Sequence, residues 1–170
     1  MNLFFMDTET TGLDPKECRI LQLAWKLTDD RCQLIAEGQS YLSGSDTVGP
    51  EKVQKIHGIT MDMLEGKPTF KEYVESISEH LEGAYIVGHN VSFDVGFWNA
   101  EAARYNMPAL ANDSWCTKEL AKSFWKLDSY RLGHVYKHIT GGELEGWHDA
   151  AADVNACVTI VKAVQESIPF

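Results

Sequence analysis

Asn2-Leu3-Phe4-Phe5-Met6-Asp7-Thr8-Glu9-Thr10-Thr11-Gly12-Leu13 opens the chain and decides how the rest is read. Residues 2–7 are a short apolar run closed by an acid, which predicts a buried strand ending at Asp7. The segment behind it, through Gly12, Asp14 and Pro15, is rich in turn formers. In extended chain, residues i and i+2 point to one side. The carboxylates of Asp7 and Glu9 can therefore reach a common point.

Outward from this strand, residues 19–28 alternate in part, with Ile20, Gln22, Ala24 and Lys26 opposed to Leu21, Leu23, Trp25 and Leu27. They predict a second strand, Asp29-Asp30-Arg31 a hairpin turn, and residues 32–42 a third, antiparallel strand. A helix is expected from Pro50 to His57, stopped by Gly58. Thr69-Phe70-Lys71-Glu72 has the capping-box form, and Tyr73, Ile77 and Leu81 repeat behind it at helical spacing. Residues 84–88 read as another buried strand, residues 92–105 as a helix and residues 109–115 as a short strand. Helices over about 117–126 and 129–139 follow. The last helix, over about 149–166, carries Val154, Cys157, Val158, Val161 and Val164 on one face. Three meandering strands followed by alternating helix and strand predict an α/β fold. Its mixed five-stranded sheet, three antiparallel strands with parallel additions, is flanked by helices.

Open sheets of this kind carry ligands beyond the carboxyl ends of their strands. Asp7 stands at such an end, and residues 84–88 lead directly into His89-Asn90-Val91-Ser92-Phe93-Asp94. Asp153 lies one turn into the last helix, five residues after His148. Hard divalent cations take carboxylate oxygens, water and substrate phosphate as ligands. Two such ions can activate a water and stabilise the leaving oxygen of a phosphodiester. A nearby histidine of near-neutral pKa can take the water's proton. Each piece has an ordinary reading on its own: a solvated strand edge for Asp7 and Glu9, a helix cap for Asp94, a structural or exposed ring for His148.

Fifteen Lys and Arg against 25 Asp and Glu give a net charge of -10 over 170 residues. The length fits a single domain, 1–170. The acidity argues against a passive nucleic-acid binder and is compatible with acids that hold metal ions. Cys18, Cys32, Cys116 and Cys157 form no C-x-x-C pair and no zinc-finger spacing. Reduced, mostly buried thiols and a cytoplasmic location are expected. The apolar start is too short for a signal peptide, and no run approaches the ~18 apolar residues of a membrane span.

Three segments taken together resemble a known family. They are Phe5-Met6-Asp7-Thr8-Glu9-Thr10-Thr11-Gly12-Leu13, Gly88-His89-Asn90-Val91-Ser92-Phe93-Asp94 and His148-Asp149-Ala150-Ala151-Ala152-Asp153. In this order and spacing they look like the motifs of the DEDDh 3′-5′ exonucleases, a family that includes the proofreading subunits of bacterial replicative polymerases. His57-Gly58-Ile59-Thr60 also matches a segment common in the proofreading branch. The resemblance spans residues 3 to 160 and implies a ribonuclease H-like fold. A sister branch carries Tyr four residues before the last acid. That position here is Asp149, while His148 stands five before, as in the His branch.

By this resemblance Asp7, Glu9, Asp94 and Asp153 are ligands of two Mg²⁺ ions (Mn²⁺ substituting), and His148 is the general base that deprotonates the attacking water. The implied product is a nucleoside 5′-monophosphate. Thr8 and Thr10 would lie beside the terminal nucleotide, Leu13 against or between the last two bases, and His57, His89 and Asn90 along the cleft. Phe93 is open between the terminal sugar or base and the core. The leading reading is a stand-alone exonuclease on single-stranded DNA or frayed 3′ ends. An RNA-trimming enzyme of the same fold and a catalytically idle binding subunit are its rivals. A polymerase partner is possible for a proofreader but is not claimed, because the chain shows no linker and tail of the tethering kind. Lys118, Lys122 and Lys126 recur every fourth residue, with Arg131, His134, Lys137 and His138 following. A solvated helix face is preferred there over a track for single strands. Trp147, in a loop with Gly141, Gly142 and Gly146, is open between stacking on a base and anchoring the loop.

Overall fold

The computed structural model describes residues 1–146 and 148–168; the expectations for Trp147 lie outside them. Its strands are β1 (Asn2–Thr10), β2 (Ile20–Asp29), β3 (Leu34–Tyr41), β4 (Ala84–Gly88) and β5 (Ser114–Cys116). Its helices are α1 (Glu51–His57), α2 (Met61–Leu64), α3 (Phe70–Ile77), α4 (Ser92–Arg104), α5 (Thr117–Phe124), α6 (Leu132–Thr140) and α7 (Ala150–Ser167). The sheet order is β3-β2-β1-β4-β5. β1, β2 and β3 pair antiparallel, and β4 and β5 add in parallel. This is the mixed five-stranded sheet expected from the sequence.

Alternation along β1 splits the core into two layers. Phe4 and Met6 face the side covered by α3 and α4, where they pack with Leu23, Trp25, Ile86, Phe70, Phe97 and Trp98. Leu3 and Phe5 face the opposite side, against Val87, Val135, Val154, Cys157 and Ile160. Burying one such large side chain is worth roughly 1.5–3 kcal/mol, so β1 is fixed from both faces. The same alternation carries Asp7 and Glu9 onto the α7 side and Thr8 and Thr10 onto the α4 side.

Several boundaries differ from expectation. β1 does not end at Asp7. It runs to Thr10, because Asp7, Thr8 and Glu9 still pair with Ala24, Leu23 and Gln22 of β2. The parallel ladder with β4, however, stops at Phe5–Val87, so Asp7 projects beyond the end of β4. The alternation of β2 also breaks at its start. Glu9 faces Gln22 but Thr10 faces Ile20, which leaves Leu21 as the extra residue of a bulge. Ile20 thereby joins Leu23 and Trp25, while Leu21 packs with Val48, Ile59 and Leu64.

β5 is confined to Ser114–Cys116, where it pairs with Ile86–Gly88 of β4. α5 stops at Phe124, which leaves Lys126 off the helix face shared by Lys118 and Lys122. α2, capped by Thr60, is too short for periodicity to announce.

Candidate active site

Glu9 and Asp153 belong to opposing elements. Glu9 comes up from β1, and Asp153 comes down from the first turn of α7, 7% exposed. Asp94, in the first turn of α4, is 2% exposed. Asp7 stands beyond the end of β4 between them. Burial first, then the charges of Asp94, Asp153, Glu9 and Asp149, push the Asp7 carboxyl well above the usual carboxylate range. Burial and then Asp153, Asp94 and Asp149 raise Glu9 to about 8. Asp94 is raised to about 7 by burial, opposed by Thr8. The Thr8 N–H and hydroxyl both donate to Asp94 Oδ1, at 3.0 and 2.8 Å. Asp153 is raised to about 7 by burial and by Asp149 and Asp94.

Crowded, desolvated carboxylates of one sign need either protons or a cation. Two geometric observations favour a cation. Asp153 Oδ1 is buried with no hydrogen-bond partner among the described residues. Glu9, His148 and Asp153 each bring a ligand atom to within 4.8 Å of the others. His148 takes a left-handed backbone conformation, φ 69°, and burial lowers its pKa. Its ring is thus neutral near pH 7 and able to accept a proton.

The other residues singled out in the sequence fall into two groups. Leu13, 83% exposed, tips a loop closed where Thr11 N–H donates to Arg19 O and Arg19 N–H donates to Thr11 Oγ1. That exposure keeps Leu13 out of the core. Phe93 is half-buried beside Phe97, with ring centroids 4.8 Å apart, and Asn90 is exposed. Three side chains are bonded internally. Thr10 Oγ1 donates to Gly12 O at 2.6 Å. His57 Nδ1 accepts from Ile59 N–H, and its Nε2 lies 3.2 Å from Val48 O. His89 Nδ1 meets Thr117 Oγ1 at 2.9 Å and its Nε2 meets Tyr130 O at 2.8 Å, which ties the β4–α4 turn to α5. Lys122 forms an ion pair with Glu119 at 2.8 Å, as a solvated helix face would.

Two features were not singled out. Gln22 Nε2 donates to Asp149 Oδ1 at 2.8 Å, which pins the start of α7 to the strand beside Glu9. The one visible signal was a polar amide on the inner face of an apolar strand. Glu101, 1% exposed, accepts from Arg19 Nε at 2.7 Å and Arg19 Nη2 at 3.0 Å. Ile20 N–H and Arg104 Nη1 also donate to it, at 3.2 and 3.3 Å. Arg104 Nη2 reaches Pro15 O and Lys16 O, so the pair of arginines holds the Leu13 loop against α4.

A mixed sheet with acids gathered at the end of its first strand, beside a neutral histidine, defines a nuclease of the ribonuclease H-like class. Comparison with known proteins agrees. A family model described as exonuclease matches residues 4–161. DNA polymerase III subunit epsilon of Treponema pallidum is 33% identical over 157 residues, covering 91% of this chain and 72% of that protein. The same subunit of Aquifex aeolicus is 31% identical over 166 residues, covering 97% and 81%.

The chain belongs to this exonuclease family and is a 3′-5′ exonuclease of the DEDDh type. Among solved structures, the zinc-bound complex of E. coli exonuclease I with single-stranded DNA superposes with a TM-score of 0.86 at 25% identity. It covers 99% of this chain, which spans about two fifths of that protein (41%). Divalent metal use goes with the fold, and the acid cluster fits it. No described helix is long and apolar enough to cross a membrane.

Proposed function

We propose that the whole chain, as one domain, trims single-stranded DNA and frayed 3′ ends from the 3′ terminus and releases nucleoside 5′-monophosphates. The observation that carries this reading is the orphaned Asp153 oxygen inside a ring of raised carboxylates beside His148. An oxygen-rich donor set suits Mg²⁺, or Mn²⁺ in its place. Asp7, Glu9, Asp94 and Asp153 are the residues that would hold two ions. Such ions, when bound, supply Lewis-acid stabilisation of charge on the phosphoryl oxygens and a lowered pKa for water.

The protein's own groups do the rest. A neutral His148 ring nitrogen takes the proton from the attacking water. Thr8 fixes the Asp94 carboxylate through its two hydrogen bonds, and its hydroxyl thus acts on a ligand as well as lying near the terminal nucleotide. Gln22 and Asp149 fix the turn from which Asp153 projects. The exposed Leu13 side chain packs against the last two bases, and Phe93, Thr10 and Asn90 border the terminal nucleotide. The penultimate 3′ oxygen leaves and is protonated from solvent. The epsilon-subunit relatives and the strand held by exonuclease I support DNA as the polymer.

End-labelled single-stranded DNA, duplex DNA and RNA of matched sequence, each with and without Mg²⁺, test the reading. Mg²⁺-dependent release of 5′-monophosphates, fastest from single-stranded DNA, is expected. Preferential trimming of RNA, or product formed equally in a chelator, would overturn it.

A further inference from the structure

We propose that Gln22 is a positioning residue of the nuclease site: acting through the start of α7, it holds His148 and Asp153 at a fixed reach from Glu9. The inference rests on the exonuclease reading above and names the side chain that keeps the two halves of the site in register.

The two halves come from different elements. Glu9 belongs to β1, whereas His148 and Asp153 flank the start of α7, yet the three bring ligand atoms within 4.8 Å of one another. Gln22 is the residue of β2 directly opposite Glu9. Opposed residues of an antiparallel pair share one face, with Cβ atoms about 4.5–5.5 Å apart, so Gln22 stands beside Glu9 on the α7 side. From there it reaches α7. Gln22 Nε2 donates to Asp149 Oδ1 at 2.8 Å, and Ala150 N–H donates to Gln22 Oε1 at 3.5 Å. Among the described residues no other side chain of the sheet bonds to Asp149 or Ala150. Inside the turn, Asp153 N–H donates to Asp149 O at 3.1 Å, and the backbone N–H of His148 bonds to the Asp153 carboxyl. A closed ring therefore runs from Glu9 across the ladder to Gln22, through Asp149 to Asp153 and His148, and back over the site to Glu9.

Local chemistry alone would arrange these groups differently. Asp149 is the N-cap residue of α7, where a carboxylate ordinarily accepts from the first turn of its own helix. Here it makes no such bond and accepts from Gln22 instead. Ala150, the first helical residue, has an N–H with no partner inside the helix, and Gln22 Oε1 meets it. One amide thus does for α7, from a distant strand, what a cap does locally. Gln22 is 4% exposed, between the buried Leu21 and Leu23. An amide in such a place costs free energy unless it is bonded. Its orientation is fixed, because the NH₂ end meets a carboxylate, and Gln39 Oε1 at 3.4 Å, while the oxygen meets an N–H.

The test uses the full chain and two readouts, one of which needs no substrate. Gln22→Met fills the same space without the bonds. In this variant kcat for release of thymidine 5′-phosphate from dT12 at saturating Mg²⁺ falls by about tenfold or more, while KM stays within about threefold. The Kd for Mn²⁺ in the absence of nucleic acid, read by electron paramagnetic resonance, rises by about fivefold or more. Gln22→Glu sets a carboxylate against Asp149 and loses at least as much. Asp149→Asn in the Gln22→Glu background exchanges donor and acceptor and restores most of both losses, a rescue that a loss of general packing would not give. Values of kcat and Mn²⁺ Kd within about twofold of wild type in both single variants at Gln22, or a double variant no better than Gln22→Glu, overturn the inference. A wild type that binds Mn²⁺ but releases no thymidine 5′-phosphate sinks the exonuclease reading instead, and Gln22 is then judged on Mn²⁺ affinity.

Discussion

Asp94 and Glu101 lie seven residues apart on α4, both almost completely buried, and meet opposite surroundings. Glu101 is met by two guanidinium groups and a backbone N–H. Asp94 faces Asp7, Glu9 and Asp153, with donors from Thr8 and from its own backbone N–H but no cationic group among the described residues. One helix thus carries a carboxylate neutralised by the fold and another left for something outside the chain to neutralise. The first holds the Leu13 loop in place. The second stores electrostatic repulsion that a divalent ion can relieve.

The largest effect that could break this contrast is catalytic. Asp7→Asn should lower Mg²⁺-dependent kcat by about a thousandfold, on the order of 4 kcal/mol, since several kcal/mol of charge stabilisation depend on the ions. The metal-free variant should melt no lower than wild type, because a repelling charge has gone. His148→Ala should lose most activity with little change in melting temperature. Wild-type cleavage by either variant would remove the assignment. Glu101→Ala is the mirror experiment: it strands Arg19 and Arg104, and denaturant unfolding should show a loss of about 3–5 kcal/mol.

Next comes the ion itself. Mg²⁺ at a hundred times its Kd should stabilise the wild type by about 2.7 kcal/mol, and Asp153→Asn should forfeit most of that gain in calorimetry. The smallest effect is on pH. Glu9, Asp94 and Asp153 start from ordinary values of 4.5, 3.8 and 3.8 and are raised to about 8, 7 and 7 in the fold. The folded state therefore binds more protons than the unfolded state between those limits. Stability of the metal-free protein is highest near pH 4, as far as these groups go, and falls as pH rises to about 8, by upwards of about 1 kcal/mol. Saturating Mg²⁺ should flatten that slope. A metal-free profile that rises over the same window would contradict the repulsion.

Much of this contrast could be read in advance on one side only. Runs of apolar residues mark β4 and α4 almost to the residue, and strand alternation alone places Asp7 and Glu9 on one face. The structure brings them together with Asp94, Asp153 and His148. Periodicity describes an element by itself, whereas the rest depends on partners far along the chain. The end of β1 is set by β2, and the bulge at Leu21 by the register between them. Glu101 finds Arg19 at a separation of 82 residues, and Gln22 finds Asp149 at 127. Nothing in a local pattern distinguishes Glu101 from a solvated helix acid, although it is among the most buried side chains in the protein.

β1 is nine residues long and β4 only five, and this inequality has a further consequence. Where the shorter strand gives out, Asp7 is left with no parallel neighbour. The last residue of β4 is Gly88, at which a methyl group would come within 3.1 Å of Met6 O and 3.2 Å of Val91 Cγ2. The closeness of the two strands just before Asp7 is thus set by backbone packing around a glycine, a constraint of shape rather than of charge.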